Sequence, residues 1–320
     1  MTPPTVGVDL GATNIRAAVV DADGRCGAVH KRPVPPGRAP SAVVDEVASL
    51  CAEASAEAGG ANPRAVGVGL AGWTDAGTGL VRNGPNLGWR DVPFGDMLRK
   101  ALGGPEVVIT NDLRAIAWGE YLFGAGAGAE VLAVVFLGSG IGSSVVIDGL
   151  PLTGATNVAC EIGHMRVVPR GGRACGCGQL GCLEAYVGGH NLERRVRHDI
   201  ETGVTTSLAD IAGDELASIT CATVERAAAQ GDAYACAVWE EAAGYLSQSL
   251  GSLVTYLNPD RLVLGGGVWA GAPTLRSLTL ERLELMASPT ALAACELVEP
   301  TLGDTAGIMG AAAMGSTAAK

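Results

Sequence analysis

The chain has 320 residues, 48% of them hydrophobic, 17% charged and 4% aromatic, with a net charge of −11; the length suggests two domains with a large core, and the acidic balance argues against nucleic acid as a general partner. The start, MTPPTVGVDLG, lacks the basic and apolar segments of a signal peptide, and no run of about 18 apolar residues predicts a membrane span. Nine cysteines, scattered apart from one cluster, fit a reducing, cytoplasmic setting.

Thr5–Leu10 predicts a short apolar strand carrying Asp9, and Gly11-Ala12-Thr13-Asn14 a turn, after which Arg16–Val20 returns as a second strand. Asp21-Ala22-Asp23-Gly24 reads as a hairpin turn, and residues 27–34 as a third strand. Ser41 is the expected N-cap of a helix reaching about Ala58, with Val43, Val44, Val47 and Leu50 on one face. Ala65–Leu70 is a further buried strand, residues 71–105 read as loop-rich, and Val107–Asn111 is a strand that delivers Asp112 to the start of a helix ending near Leu122. Gly124-Ala-Gly-Ala-Gly-Ala is the best linker candidate. Beyond residue 189, helices are expected to about 257. Arg261–Leu264 is then a strand followed by Gly265-Gly266-Gly267, with more helix, a strand near Glu296–Val298 and a small-residue helix from Thr305.

Across the linker the beginning returns. Leu10–Asp21 reads LGATNIRAAVVD and Leu137–Asp148 reads LGSGIGSSVVID, in register without a gap. Two such strand–turn–strand units suggest a duplicated domain. This resembles the actin-like ATPase fold, ribonuclease H-like and α/β in class, whose two phosphate-binding hairpins face each other across a cleft between two lobes.

The densest constellation is GHMRVVPRGGRACGCGQLGCLEAYVGG, residues 163–189. His164, Cys175, Cys177 and Cys182 follow a His-x10-Cys-x-Cys-x4-Cys spacing. Three thiolates and one imidazole make a closed tetrahedral zinc shell, the pattern of a structural site. A disulfide and a set of unrelated buried residues are the other readings, although Cys175 and Cys177 are too close to bridge easily. Glu161 precedes His164 by three residues and Glu184 follows Cys182 by two, so a metal clamp fixes the backbone beside both carboxylates. EIGH followed by CGCGQLGCLE resembles the ROK family of sugar kinases and sugar-responsive repressors. In that family the zinc-bound His also touches the sugar.

Phosphoryl transfer needs the phosphates held, charge neutralised by a metal, and an acceptor hydroxyl aimed in line. Gly11, Thr13 and Asn14 offer N–H groups and small polar side chains for the first task, as do Gly138, Ser139, Gly140 and Gly142; singly, each turn also reads as an ordinary β-turn. Gly265, Gly266 and Gly267 would let adenosine approach the backbone, or simply start a helix. The family resemblance implies that Asp9 holds magnesium through water. It also implies that Asp112 takes the proton of the attacking hydroxyl, and that Asn86, Asn111, Glu161, His164 and Glu184 bind sugar hydroxyls. An Asp at a helix start is also a common N-cap. His30, His190 and His198 read as surface or satisfied histidines rather than ligands, and Trp73 and Trp89 as loop packing rather than sugar stacking. Two departures from the family pattern stand out: Cys160 before Glu161, where a positive φ would strain a non-glycine residue, and a His164–Cys175 spacing lengthened around Gly171-Gly172.

The resemblance implies a small N-terminal lobe, 1–124, joined by a C-terminal helix, 304–320, and a large lobe, 125–303, with the zinc-binding segment 161–184. It implies an ATP-dependent hexokinase, read most specifically as a glucokinase making a 6-phosphate, with structural Zn2+, Mg2+ travelling with ATP, and a homodimer or homotetramer. Kinases for mannose, fructose or N-acetylmannosamine share the machinery. A ROK repressor would carry a winged-helix domain ahead of this part, for which a first strand at Thr5 leaves no room, and a catalytically silent sensor is at odds with Asp112 and two phosphate turns.

Overall fold

The apolar runs around Val6, Val66 and Val107 become parallel neighbours in the first sheet. β1 (Thr5–Leu10) pairs with β4 (Ala65–Leu70), which pairs with β8 (Glu106–Asn111). Strands buried on both faces read as continuous apolar runs, and every residue of β4 is buried. β2 (Asn14–Val20) and β3 (His30–Pro33) add antiparallel, giving the order β3-β2-β1-β4-β8. β3 is shorter than the expected 27–34, with only an isolated bridge from Val20 to Cys26 before it. The computed structural model describes residues 4–59, 63–75, 77–213 and 215–318.

A second five-stranded sheet repeats that order. It consists of β9 (Val131–Leu137), β10 (Ile141–Ile147), β11 (Leu150–Pro151), β12 (Arg261–Gly265) and β13 (Glu296–Val298), arranged β11-β10-β9-β12-β13. The two copies of the sequence motif occupy β1–β2 and β9–β10. The stretch 71–105, expected to be loop-rich, holds a small antiparallel sheet of β5 (Trp73–Thr74), β6 (Val81–Gly84) and β7 (Trp89–Val92). Helix α2 (Phe94–Ala101) follows it.

The chain forms two compact units, Met1–Leu132 with Ser144–Cys160 and Pro300–Lys320, and Ala133–Ser143 with Glu161–Glu299. In the first, α1 (Pro40–Glu57) buries Val43, Val44, Val47 and Leu50 as its period requires. Its N-cap is Ala39 with Pro40 in the first turn, so the expected cap at Ser41 is corrected: Ser41 lies inside the helix, because proline's fixed φ starts the helix two residues earlier. α3 (Asp112–Phe123) leaves β8 directly. α12 (Ala306–Ala318) lies so close to the sheet that a Cβ on Gly7 or Gly67 would fall on the carbonyls of Ile308 and Ala311. The glycines of β1 and β4 are therefore what allow it to dock.

The second unit carries α4 (Glu184–Val187), α5 (Gly189–Glu201), α6 (Ser207–Ala212), α7 (Cys221–Ala229), α8 (Ala233–Leu257), α9 (Gly267–Gly271), α10 (Pro273–Met286) and α11 (Pro289–Ala294). Its core helix is α8, capped by Asp232 and burying Trp239, Leu246, Leu250 and Val254. Among the described residues no helix is long and apolar enough to cross a membrane.

Candidate active site and metal centre

In the first unit β8 ends at Asn111, and α3 starts at the next residue. Asn111 is the N-cap: its side-chain oxygen accepts from Arg114 N–H at 3.2 Å, and its amide donates to the Gly72 carbonyl at 3.4 Å. Asp112 therefore stands at the first helical position rather than at the cap, and its Oδ1 accepts from Leu113 N–H at 2.9 Å. Capping duty thus falls on the residue whose carbonyl already faces the helix. Asn86 sits on the exposed side of a 3-10 turn, Pro85–Leu87, anchored by buried Leu87. Trp89 is packing, as expected, and its indole donates to the Arg38 carbonyl at 2.7 Å.

The first glycine turn closes through Gly11 N–H to the Asn14 carbonyl at 3.0 Å, with Thr13 exposed at its tip. Asp9 lies opposite Arg16 across the β1–β2 ladder. The guanidinium donates twice to Asp9 Oδ2, at 3.0 and 2.6 Å, and reaches Asp304 at 3.4 Å. Sequence reasoning missed Arg16, although the hairpin register was enough to pair the two.

In the second unit the matching turn closes through Gly138 N–H to the Gly140 carbonyl at 2.9 Å, with Gly142 two residues on in β10. The start of α5 seals its outer side: Gly189 and His190 N–H donate to the carbonyls of Gly138 and Ser139, at 3.0 and 2.9 Å. Glu184 closes the inner side, accepting from Ile141 N–H at 3.2 Å, and a Cβ on Gly140 would collide with its carboxylate. Gly265 ends β12. Gly266, at φ 96°, packs against the Leu137 backbone so tightly that a side chain there would strike the carbonyl, and Gly267 opens α9.

Glu161 caps a 3-10 turn, Ile162–His164, and its carbonyl accepts from His164 N–H at 3.0 Å. Cys160 adopts φ 69°, the left-handed region that a non-glycine residue enters only under constraint. His164 Nδ1 lies 3.7 Å from Cys175 Sγ, and the Cys177 and Cys182 sulfurs are 3.8 Å apart. Four ligand atoms on a zinc ion with bonds of about 2.3 Å would be separated by about 3.8 Å, and all four donor atoms here fall within 4.8 Å of one another. The cysteines are free thiols, so the disulfide alternative does not hold. Burial pushes the Cys175 thiol up to about 12 and raises that of Cys182; a bound cation must displace those protons. Glu184 Oε1 also lies 3.7 Å from the Cys175 thiol, tying the cluster to the Gly138–Gly140 turn that Glu184 closes.

Arg173 and its partners Glu241 and Tyr186, which the sequence did not single out, hold this loop. Arg173 forks onto Glu241 of α8 at 2.9 and 3.0 Å and lies 4.5 Å above the Tyr186 ring, whose hydroxyl accepts from Arg173 N–H at 2.9 Å. Gly181, at φ 78°, passes against the Val168 carbonyl. The His190 side chain is 81% exposed, as a surface histidine would be, whereas His30 is largely buried beside Glu53 and Glu57.

The fold recurs among known proteins. The chain matches the ROK family over residues 5–318. It is 34% identical over 313 residues to a glucokinase of Streptomyces coelicolor, covering 96% of each chain. It is 32% identical over 309 residues to a glucokinase of Halalkalibacterium halodurans, covering 95% of this chain and 92% of that one. An N-acetylmannosamine kinase of Shigella boydii is 29% identical over 273 residues, 82% of this chain and 83% of its own. Among solved structures, the ROK hexokinase of Thermus thermophilus superposes with a TM-score of 0.83 at 33% identity, over 98% of both chains. A ROK family glucokinase of Streptomyces griseus, in complex with glucose and AMPPNP, superposes at 0.79 and 32%, over 98% of this chain and 99% of that one. With two sheets of like order, each ending its first strand in a glycine turn, a His/Cys cluster beside Glu161 and Glu184, and a family match across nearly its full length, the chain belongs to the ROK family.

Proposed function

We propose that this protein phosphorylates glucose at its 6-hydroxyl with ATP, giving glucose 6-phosphate and ADP. At the coarser level it is an ATP-dependent hexose kinase, and such phosphoryl transfer requires Mg2+. The observation that carries the glucose reading is the solved ROK glucokinase whose complex holds glucose and AMPPNP and whose fold extends over 98% of this chain.

In this reading Asp112 accepts the proton of the 6-hydroxyl as that oxygen attacks the γ-phosphorus and ADP departs. Asn111, Asn86, Glu161, His164 and Glu184 hold the sugar hydroxyls. The turns that hold Gly11, Thr13 and Asn14 and Gly138, Ser139, Gly140 and Gly142 cradle the phosphates. Gly265, Gly266 and Gly267 leave room for the adenosine, and Asp9 holds the water shell of the magnesium that accompanies ATP. Zn2+ on His164, Cys175, Cys177 and Cys182 is structural: four protein ligands leave no open position for substrate.

The test is ADP release with ATP and a panel of glucose, mannose, fructose, N-acetylglucosamine and N-acetylmannosamine. Glucose should give the highest kcat/KM. A higher value for any other sugar overturns the glucose assignment, and no turnover with any of them overturns the kinase reading.

A further inference from the structure

Asp112 sits inside a closed circuit of hydrogen bonds, all within the first unit. Two residues further along α3, Arg114 is 6% exposed. Its NH1 donates to the Asn157 side-chain oxygen at 2.7 Å and its NH2 to the Asn157 carbonyl at 3.2 Å. Asn157 stands at φ 61°, in the left-handed region that Asn tolerates better than most residues. Its amide donates onward to the Thr74 carbonyl at 2.7 Å and the Thr74 hydroxyl at 3.3 Å, and Thr74 is 2% exposed. Two residues back, the Gly72 carbonyl accepts from Asn111, which closes the circuit on the residue before Asp112. The first turn of α3 is thus gripped on both sides of Asp112, through Asn111 to Gly72 and through Arg114 to Asn157 and Thr74.

We infer that Arg114 and Asn157 are positioning residues for phosphoryl transfer, which fix the Asp112 carboxylate by clamping the first turn of α3 to the Gly72–Thr74 and Asn157 loops. The inference rests on Asp112 being the proton acceptor. A guanidinium so deeply buried is costly unless its donors are satisfied, and its two-point grip specifies both the position and the orientation of Asn157. Simple filling of this space would be served by an apolar side chain. The fork instead transmits orientation, since it engages the side chain and the backbone of one residue held in a sparsely populated conformation.

The test uses Asn157→Gly, which keeps the left-handed backbone at no steric cost and removes only the side-chain link. Arg114→Met, the double variant and Asp112→Asn complete the series, all assayed on the hexose that the parent turns over fastest. For Asn157→Gly, kcat should fall roughly 10- to 100-fold, the usual consequence of a sub-ångström to ångström misplacement, while KM for ATP stays within about twofold. The double variant should lose no more than Arg114→Met alone, because both changes cut one link. A folded Asn157→Gly with parental kcat, or single losses that multiply in the double variant, overturns the inference even if Arg114→Met does not fold. Asp112→Asn separates the two ideas: if it retains turnover, the proton-acceptor reading fails, and if it is inactive while Asn157→Gly is parental, only the clamp fails.

Discussion

Replacing Asp112 by Asn tests the proton-acceptor assignment with little structural disturbance. Asn111, not Asp112, caps α3, so the substitution leaves the cap in place and its cost of about 1 kcal/mol is avoided. Asp112 Oδ1 accepts from Leu113 N–H at 2.9 Å. An asparagine can meet that N–H with its amide oxygen, which puts its NH2 where the second carboxylate oxygen stood. The shape is kept and a proton acceptor becomes a donor. Loss of a general base lowers kcat by about 10²- to 10⁴-fold, equivalent to about 2.7–5.4 kcal/mol of transition-state free energy. The sugar dissociation constant, measured by calorimetry without ATP, should change by far less, because the other proposed hydroxyl partners are untouched. Glu161→Gln should do the opposite, weakening sugar binding at least as much as turnover. Steady-state kinetics and calorimetry on both variants make the comparison, and Asp112→Asn with parental kcat would refute the reasoning.

Three further outcomes are expected. Protein purified without added metal should contain about one zinc per chain, since the His164, Cys175, Cys177 and Cys182 donors span the separations that a tetrahedral ion needs; active, folded protein with none would refute it. Glu120 is fully buried and accepts from Ala125, Thr301 and Leu302 backbone N–H groups at 2.8, 3.2 and 3.0 Å. Glu120→Ala should therefore cost about 3 kcal/mol or more in urea unfolding, at about 1 kcal/mol or more per orphaned donor, and a shift below about 1 kcal/mol would count against that role. Gly310→Val should lower the unfolding midpoint, because a Cβ there falls on the Ala115 carbonyl, and an unchanged midpoint would mean that α12 does not dock as described.

What the sequence revealed and what it hid divide by the range of the interaction. The motif LGATNIRAAVVD and its repeat were legible because a strand–turn–strand unit writes its period and its glycines locally, and both became the first two strands of sheets of like order. The His/Cys spacing was legible for the same reason. The β5–β7 sheet was not, since strands of two to four residues leave no measurable alternation. Ser41 drew the expected cap because Ser is a good cap in general, while Pro40 fixed the start two residues earlier. The glycine-alanine segment after Gly124 read as a linker, yet Ala125 and Gly126 donate to the side chain and carbonyl of Glu120, which no local pattern announces. Arg114 with Asn157 and Arg173 with Glu241 are separated by many residues in sequence, and each alone looks like an ordinary charged or polar residue.

The candidate sugar and phosphate groups stand on two kinds of support. Asp9, Asn111 and the flanks of both glycine turns are carried by strands whose ladders fix the backbone over their whole length. Glu161, His164, Glu184 and Asn86 instead ride on a 3-10 turn, a four-residue helix and another 3-10 turn, elements too short to hold themselves together. Each of those short elements is held from outside. His164 shares a tight donor cluster with three cysteines, and Glu184 is bonded to the Ile141 N–H. The loop between His164 and Glu184 is forked onto α8 through Arg173, and the Asn86 turn is flanked by buried Leu87 and by Trp89 bonded to Arg38. A closed metal shell fits that requirement physically: it fixes four backbone points at once without the long apolar runs that a strand or helix would need, and so lets polar groups be set close together on irregular chain. On this argument a metal held by His164 and the three cysteines and the Arg173 fork would serve one purpose, supplying by non-local bonds the rigidity that short segments lack, and substitutions at either should disturb the aim of Glu161 and Glu184 before they disturb the sheets.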